Sequence, residues 1–197
     1  MTQNKIQSND IFDALFNVIK KLELAKIDYM LTGSVAGFFW GIKRFTQDID
    51  IVVSLENITP EIIENSFSSS EYYIAQTALF DTFCGKAKMF NIIELASYTK
   101  IDLIAQTESE YSTSQFQRRK RIDFLDSKVW VISPEDLVLS KLNWQKMSAS
   151  SQQRNDIITI IDLIDLDTNY INNWAKKLGT FKLWQDLSTH RPKHSKR

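Results

Sequence analysis

The apolar positions of the chain follow a helical spacing at its start and a strand spacing soon afterwards. Near the N-terminus they recur every three or four residues, at Ile11, Leu15, Val18, Ile19 and Leu22. This spacing predicts a helix over about residues 10–26. Short apolar or alternating runs predict strands, and a short helix is expected to follow the first of them. The predicted strands are 29–32, 48–53, 72–74, 90–93, 100–104 and 129–132, and the short helix is 34–41.

Two later segments carry signals for the start of a helix. Thr59 precedes Pro60, and Ser133 precedes Pro134 and two acidic residues. A capping hydroxyl followed by proline at the first helical position is typical of a helix N-terminus. From Ser133 onward the pattern is helical. We therefore expect an α+β fold (mixed α/β), with a mixed β-sheet flanked by helices over residues 1–132 and a helical C-terminal subdomain over residues 133–197.

The composition excludes several kinds of chemistry. The chain has one cysteine, so it cannot form an internal disulfide. Its two histidines, His190 and His194, lie near the C-terminus, which argues against a Ser-His-Asp, Cys-His or His-rich zinc site. Basic and acidic residues number 24 each, so no net charge attracts nucleic acid. Without a signal peptide or a run of about 20 apolar residues, we expect a cytoplasmic protein with no membrane partner.

Two aspartates stand two residues apart in the predicted strand 48–53. Because side chains alternate along a strand, Asp48 and Asp50 are expected on the same face, roughly 6–7 Å apart. Two carboxylates on one face repel each other unless a cation lies between them, and Mg²⁺ prefers such oxygen ligands together with substrate phosphates. The pair therefore predicts a metal site, and the alternative is an edge strand whose aspartates face water.

Two other features add to this pair. Gly33 and Ser34 end the first predicted strand and begin the short helix, where free backbone N–H groups bind anions and glycine lets a phosphate approach closely. The alternative is an ordinary strand-to-helix turn with a capping serine. Asp102 stands between apolar residues in another predicted strand, where its burial is costly without a partner such as a metal. The alternative is that Asp102 faces water.

The helical part contains one further candidate pair. Lys141 lies on or beside the apolar stripe of its helix, and Asp156 lies at the edge of the stripe of the next helix. A lysine that faces inward toward a nucleotide would neutralise a phosphate charge. The alternative is an ion pair between Lys141 and Asp156 that joins the two helices.

A basic run, Arg118–Arg121, interrupts the chain just before the last predicted strand. It would contact phosphates of RNA or of the nucleotide in one interpretation. We favour the other interpretation, a solvated loop or the edge of a strand.

The order of these elements, Gly33-Ser34, then Asp48-Ile49-Asp50, then Asp102, resembles the polymerase-β-like nucleotidyltransferase superfamily. The stretch GSVAGFFWGIKRFTQDIDIVV is similar to the AbiEii and MenT type of bacterial nucleotidyltransferase-like proteins and to related uncharacterised families. The later stretches SPEDLVLSKLNWQK and SQQRNDIITIIDL also resemble that group. The resemblance covers about residues 28–165.

The resemblance implies a nucleotidyltransferase fold, a two-metal Mg²⁺ site and an NTP substrate. The implied metal ligands are Asp48, Asp50 and Asp102, and these three together with Lys141 are the implied catalytic residues. The implied nucleotide-binding residues are Gly33, Ser34, Arg44, Thr46, Lys141 and Asp156. An NMP would pass to an acceptor hydroxyl on tRNA, another RNA, a protein or a small molecule, and the resembling toxins pair with an antitoxin protein. The alternatives are a non-catalytic NTP-binding module that acts through a partner, and an antibiotic nucleotidyltransferase.

Overall fold

Seven strands form one mixed sheet in the computed structural model, which describes residues 3–44, 46, 48–125 and 127–189. The strands are β1 (Tyr29–Thr32), β2 (Asp48–Val53), β3 (Tyr72–Ile74), β4 (Met89–Glu94), β5 (Thr99–Ala105), β6 (Lys120–Phe124) and β7 (Ser127–Val131). Their order across the sheet is β3-β4-β5-β2-β1-β7-β6. The pairs β1–β7 and β2–β5 are parallel, and the other neighbouring pairs are antiparallel. This order places β2 between β1 and β5.

Helices precede, interrupt and follow these strands. They are α1 (Gln3–Leu24), α2 (Gly33–Phe39), α3 (Pro60–Ser66), α4 (Gln76–Phe83), α5 (Glu110–Gln117), α6 (Pro134–Ser148), α7 (Ser151–Leu163), α8 (Thr168–Lys177) and α9 (Phe181–Ser188). The last four helices follow the last strand without interruption. The predicted fold class is thus confirmed: a mixed sheet with helices, followed by a helical C-terminal subdomain.

The chain divides into two compact units. The first comprises residues 1–35 and 45–131 and contains the seven described strands. The second comprises residues 36–44 and 132–197, so it contains helices α6–α9 and the later part of α2. The sequence pattern does not reveal that residues 36–44 group with the C-terminal helices. A domain boundary between residues 132 and 133 stays a prediction.

Apolar periodicity explains how the first unit forms its core. The buried positions of α1 repeat every three or four residues, and Leu15, Val18 and Leu22 are completely buried. On β2 the buried residues alternate, with Ile49, Ile51 and Val53 at 0% exposure. Because successive side chains of a strand point to opposite faces, Asp48 and Asp50 lie on the other face of the sheet, away from these three residues.

Most predicted elements agree with the structure in position. The strands predicted at 29–32, 48–53 and 72–74 have these bounds, and β4 and β5 are only slightly longer than predicted. The helix predicted at 10–26 is α1, which begins earlier and ends at Leu24. The strand predicted at 129–132 is β7, which ends one residue before because Ile132 leads into the cap of α6.

The two predicted helix starts differ in detail. The Ser133 hydroxyl accepts a hydrogen bond from the backbone N–H of Asp136 (3.1 Å), and Pro134 occupies the first helical position, as predicted. Thr59 stands at the cap position before Pro60, but its side chain makes no capping hydrogen bond. The short helix α2 begins at Gly33 and ends at Phe39.

The sequence pattern did not predict α4, α5 or β6. Helices α4 and α5 have only 8 residues each, too short for a clear helical period, and α5 is mostly polar. Strand β6 begins inside the basic run, whose charges mask the alternation. Among the described residues, no helix combines the length and hydropathy that crossing a membrane requires.

Candidate functional site

Strand β2 carries the two aspartates that the sequence singles out. Its exposure alternates, so that Asp48 is exposed and Asp50 is half-buried while the residue between them is buried. The prediction that both carboxylates share one face therefore agrees with the strand geometry.

The neighbouring strand brings the third predicted aspartate to the same row. In the parallel pair β2–β5, Asp50 lies opposite Asp102, and Asp48 lies opposite Lys100. On the other side of β2, Thr32 of β1 lies opposite Asp50. Three carboxylates and one ammonium thus share one face of the sheet, and we call Asp48, Asp50, Asp102 and Lys100 the carboxylate face.

Asp102 has partners on both of its oxygens. Lys100 Nζ donates to Asp102 Oδ2 (2.9 Å), and Asn91 Nδ2 of β4 donates to Asp102 Oδ1. Asn91 lies opposite Asp102 in the β4–β5 pair, so the sheet register makes this contact. Asp102 is 7% exposed, and these two donors offset the cost of burying its charge. Neither Lys100 nor Asn91 was predicted as a site residue.

All three carboxylates affect the pKa of Lys100. Its hydrogen bond to Asp102 raises the pKa of the Lys100 ammonium, and the negative charges of Asp102, Asp48 and Asp50 raise that pKa further, while partial burial opposes them. The sequence does contain a signal for this arrangement, because Lys100 and Asp102 are two residues apart on a strand and so share a face.

Gly33 lies directly against this face at the end of β1. Its φ of +62° is a left-handed conformation that glycine adopts readily. A Cβ at this position would overlap the carboxylate of Asp50. Glycine is therefore needed here both for the backbone turn and for the close approach of Asp50. Ser34 follows in α2 and is half-buried.

The donor set of the carboxylate face suits Mg²⁺ at Asp48 and Asp50. Mg²⁺ is commonly bound by one or two carboxylates and completed by substrate phosphates and water. Within the described part of the chain, no group of three or more His, Cys, Asp or Glu side chains is arranged to hold a metal ion. The metal role of Asp102 stays a prediction.

The second unit contains the other predicted pair. Lys141 Nζ donates to Asp156 Oδ2 (2.7 Å), and Arg44 Nη2 donates to the same oxygen (3.2 Å). Lys141 also donates to Gln153 Oε1 (3.2 Å). Asp156 and Lys141 are 4% and 3% exposed. The ion pair between helices α6 and α7, one of the two interpretations of these residues, is therefore present. We call Arg44, Lys141 and Asp156 the buried triad, and its role toward a nucleotide stays a prediction.

The segment before β2 is described only in part. Thr46 Oγ1 donates to the backbone carbonyl of Asp48 (3.1 Å), so Thr46 supports the start of β2. A nucleotide role for Thr46 stays a prediction. Phe45 and Gln47, which belong to the stretch that carries the resemblance, lie outside the described residues, as do His190 and His194.

The basic run ends α5 and begins β6, the last strand at one edge of the sheet. The guanidinium of Arg119 lies over two aromatic rings, 4.2 Å from the centroid of Phe116 and 4.7 Å from that of Trp130. Burial there lowers the pKa of Arg119, and its Nη2 donates to Asp28 (3.4 Å). The favoured interpretation as a strand edge agrees with this placement, and Arg119 packs against the protein itself.

Comparison with known proteins identifies the fold. No protein-family model and no curated protein matches this sequence. An antigenic nucleotidyltransferase-like protein from Paracoccidioides brasiliensis matches with a TM-score of 0.52 at 17% identity, over 90% of this chain and 92% of its own. The lincosamide antibiotic adenylyltransferase LnuA, with lincomycin bound, matches with a TM-score of 0.54 at 14% identity, over 76% of this chain and 96% of its own.

A third solved structure, the antibiotic-resistance factor ANT(2'')-Ia, matches with a TM-score of 0.55 at 8% identity, over 87% of this chain and 89% of its own. The chain therefore shares the fold of these solved structures, the nucleotidyltransferase fold that the order of its motifs predicts. Identities this low establish the fold, whereas the AbiEii or MenT subgroup stays a prediction.

Proposed function

We propose that this protein transfers an NMP from an NTP to an acceptor hydroxyl, with its carboxylate face as the reaction site. The observation that supports this proposal most strongly is the register between β2 and β5, because it sets Asp50 beside Asp102 on a face that also carries Asp48. Gly33 lies against Asp50 on this face. A nucleotidyltransferase fold with such a face favours catalysis over simple binding.

The proposed reaction forms one bond and breaks another at the α-phosphorus of the NTP. The acceptor hydroxyl oxygen bonds to this phosphorus, the bond to the β-phosphate breaks, and pyrophosphate leaves. Asp48 and Asp50 would hold Mg²⁺, and the ion would supply positive charge that offsets the charge of the phosphate oxygens. Asp102, directed by Lys100 and Asn91, accepts the proton of the hydroxyl. The Ser34 hydroxyl donates a hydrogen bond to the leaving phosphates.

The acceptor has two candidate classes. The resemblance of the motifs favours an RNA such as tRNA, together with an antitoxin partner. The structural neighbours favour a small molecule, since one is an antibiotic adenylyltransferase with lincomycin bound and another is an antibiotic-resistance factor. Both acceptors would offer a hydroxyl to the same carboxylate face.

The experiment is to incubate the protein with each of four α-labelled NTPs, Mg²⁺ and either a cell extract or a panel of antibiotics that includes lincosamides. We expect label to enter RNA or one of the antibiotics with the parent and not with Asp48→Ala. Label that enters no acceptor, although the parent binds the NTP, would support the alternative of a non-catalytic NTP-binding module. Equal labelling by Asp48→Ala would overturn the proposed site.

A further inference from the structure

Lys100 occupies a distinct position on the carboxylate face. It lies opposite Asp48 in the β2–β5 register, while Asp102, two residues later, lies opposite Asp50. The alternation of strand side chains gives these four residues one face. A positive charge therefore belongs to the face itself, before any ligand binds.

The contacts of Asp102 show what this charge does. One carboxylate oxygen accepts from Lys100 at 2.9 Å, and the other accepts from Asn91. Both oxygens are thus engaged by the protein, and the carboxylate is nearly buried. A divalent ion that used Asp102 as a ligand would have to displace Lys100 or lie beside its ammonium charge, and like charges at such distances repel.

Asp48 and Asp50 differ from Asp102 in accessibility. Asp48 is exposed and Asp50 is half-buried, and their interaction with Lys100 is through its charge. The Lys100 side chain is 45% exposed while its ammonium contacts the nearly buried Asp102. Two carboxylates are sufficient protein ligands for one Mg²⁺ that also binds phosphates.

We propose that Lys100 is a positioning residue that takes the place of a second divalent ion, so that the site binds one ion at Asp48 and Asp50. Lys100 supplies the positive charge beside Asp102 and, with Asn91, fixes the direction of its oxygens. This inference rests on the proposed function. The two-ion arrangement implied by the sequence resemblance is the alternative that the experiment tests.

The experiment counts Mn²⁺ ions on the nucleotide-bound protein by native mass spectrometry. The probe is Mn²⁺ with an equimolar mixture of the four α,β-methylene nucleoside triphosphates. The variants are Lys100→Met, which has a side chain of similar length but no charge, and Lys100→Arg, which keeps the positive charge. Lys128→Met is the matched control, because Lys128 is also a strand lysine paired with one aspartate, at 3.3 Å from Asp123, and is exposed.

We expect one Mn²⁺ per nucleotide-bound chain in the parent, in Lys100→Arg and in Lys128→Met, and two in Lys100→Met. The same samples without nucleotide give a second readout. There, added Mn²⁺ should raise the melting temperature of Lys100→Met more than that of the parent, because the ion replaces the missing charge.

Three results would overturn the inference. Two ions on the parent would do so and leave the proposed function standing. A single ion on Lys100→Met would show that the lysine does not exclude a second one. If no nucleotide-bound chain carries an ion, the proposed function and the inference both fail. If Lys100→Met does not fold, the number of Mn²⁺ ions on the nucleotide-bound parent still decides between one ion and two.

Discussion

The two charge clusters of this chain have opposite compositions. On the carboxylate face, a single lysine interacts with the negative charges of three aspartates, and Asp48 is exposed. In the buried triad, a single aspartate accepts hydrogen bonds from both a lysine and an arginine, and the Lys141–Asp156 pair is almost fully buried. In the buried triad the two cations surround one carboxylate, so the negative charge of Asp156 is fully compensated within the folded protein. The carboxylate face instead has more negative than positive charge and can take up a cation.

This difference separates two uses of the same residue types. A buried ion pair is expensive to break, because the partner left behind keeps an uncompensated charge away from water. Exposed carboxylates that repel one another contribute little to stability, and their mutual repulsion is relieved when a cation binds between them. Stability should therefore depend on the buried triad, and Mg²⁺-dependent nucleotide binding should depend on the carboxylate face.

The largest loss of stability is expected for Asp156→Asn. It leaves Lys141 and Arg44 facing a neutral amide, and we expect a loss of about 3–5 kcal/mol in the free energy of unfolding, measured by urea denaturation. The control is Asp123→Asn, whose partner Lys128 is exposed, and which should leave stability almost unchanged. Equal effects of the two substitutions would contradict the description of the triad as buried and structural.

A smaller loss is expected for Lys141→Met. Arg44 still contacts Asp156 in this variant, so the loss should be about 1.5–3 kcal/mol, as for a hydrogen bond between charged groups. The same variant tests the predicted nucleotide role of Lys141. If Lys141 binds phosphate, its loss weakens NTP affinity by a similar free energy and affects a nucleoside less. Unchanged NTP affinity would leave Lys141 with a structural role alone.

Gly33→Ala tests how closely the turn approaches the carboxylate face. The left-handed backbone alone should cost about 1–2 kcal/mol, and the overlap with Asp50 should add to that. Gly85→Ala is the matched control, since Gly85 has φ +71° and a Cβ added there would meet no atom within 4 Å. We expect Gly33→Ala to unfold at a lower urea concentration than Gly85→Ala. Equal midpoints would mean that Asp50 moves aside without cost.

The smallest effect on stability is expected for Asp48→Asn. Because Asp48 is exposed among like charges, its neutralisation should change the unfolding free energy of the metal-free protein by less than about 0.5 kcal/mol. Thermal or urea unfolding in EDTA measures this. A large loss would favour a structural role for Asp48 on a wet strand face and would count against the metal site.

Local sequence patterns predict most of the strands, but they do not predict the contacts between strands. The alternation of Asp48, Ile49 and Asp50 predicted both the strand and the shared face. The hydrogen bond from Asn91 to Asp102 depends on the register between β4 and β5, and a sequence does not state a register. Likewise Arg44 and Asp156 are 112 residues apart, and only the fold brings them together. The Lys141–Asp156 pair was predictable as one of two alternatives because both lie beside apolar helical stripes.

The most direct test of the central claim is the thermal shift caused by Mg²⁺ with each NTP, in the parent, Asp48→Asn and Asp123→Asn. If the carboxylate face binds Mg²⁺ and NTP, at least one NTP with Mg²⁺ at a hundredfold excess over its Kd stabilises the parent and Asp123→Asn by about 2.7 kcal/mol. Asp48→Asn should show no such shift, and neither should any protein with EDTA. A shift of the same size in Asp48→Asn, or no shift in the parent at millimolar NTP, would contradict the claim.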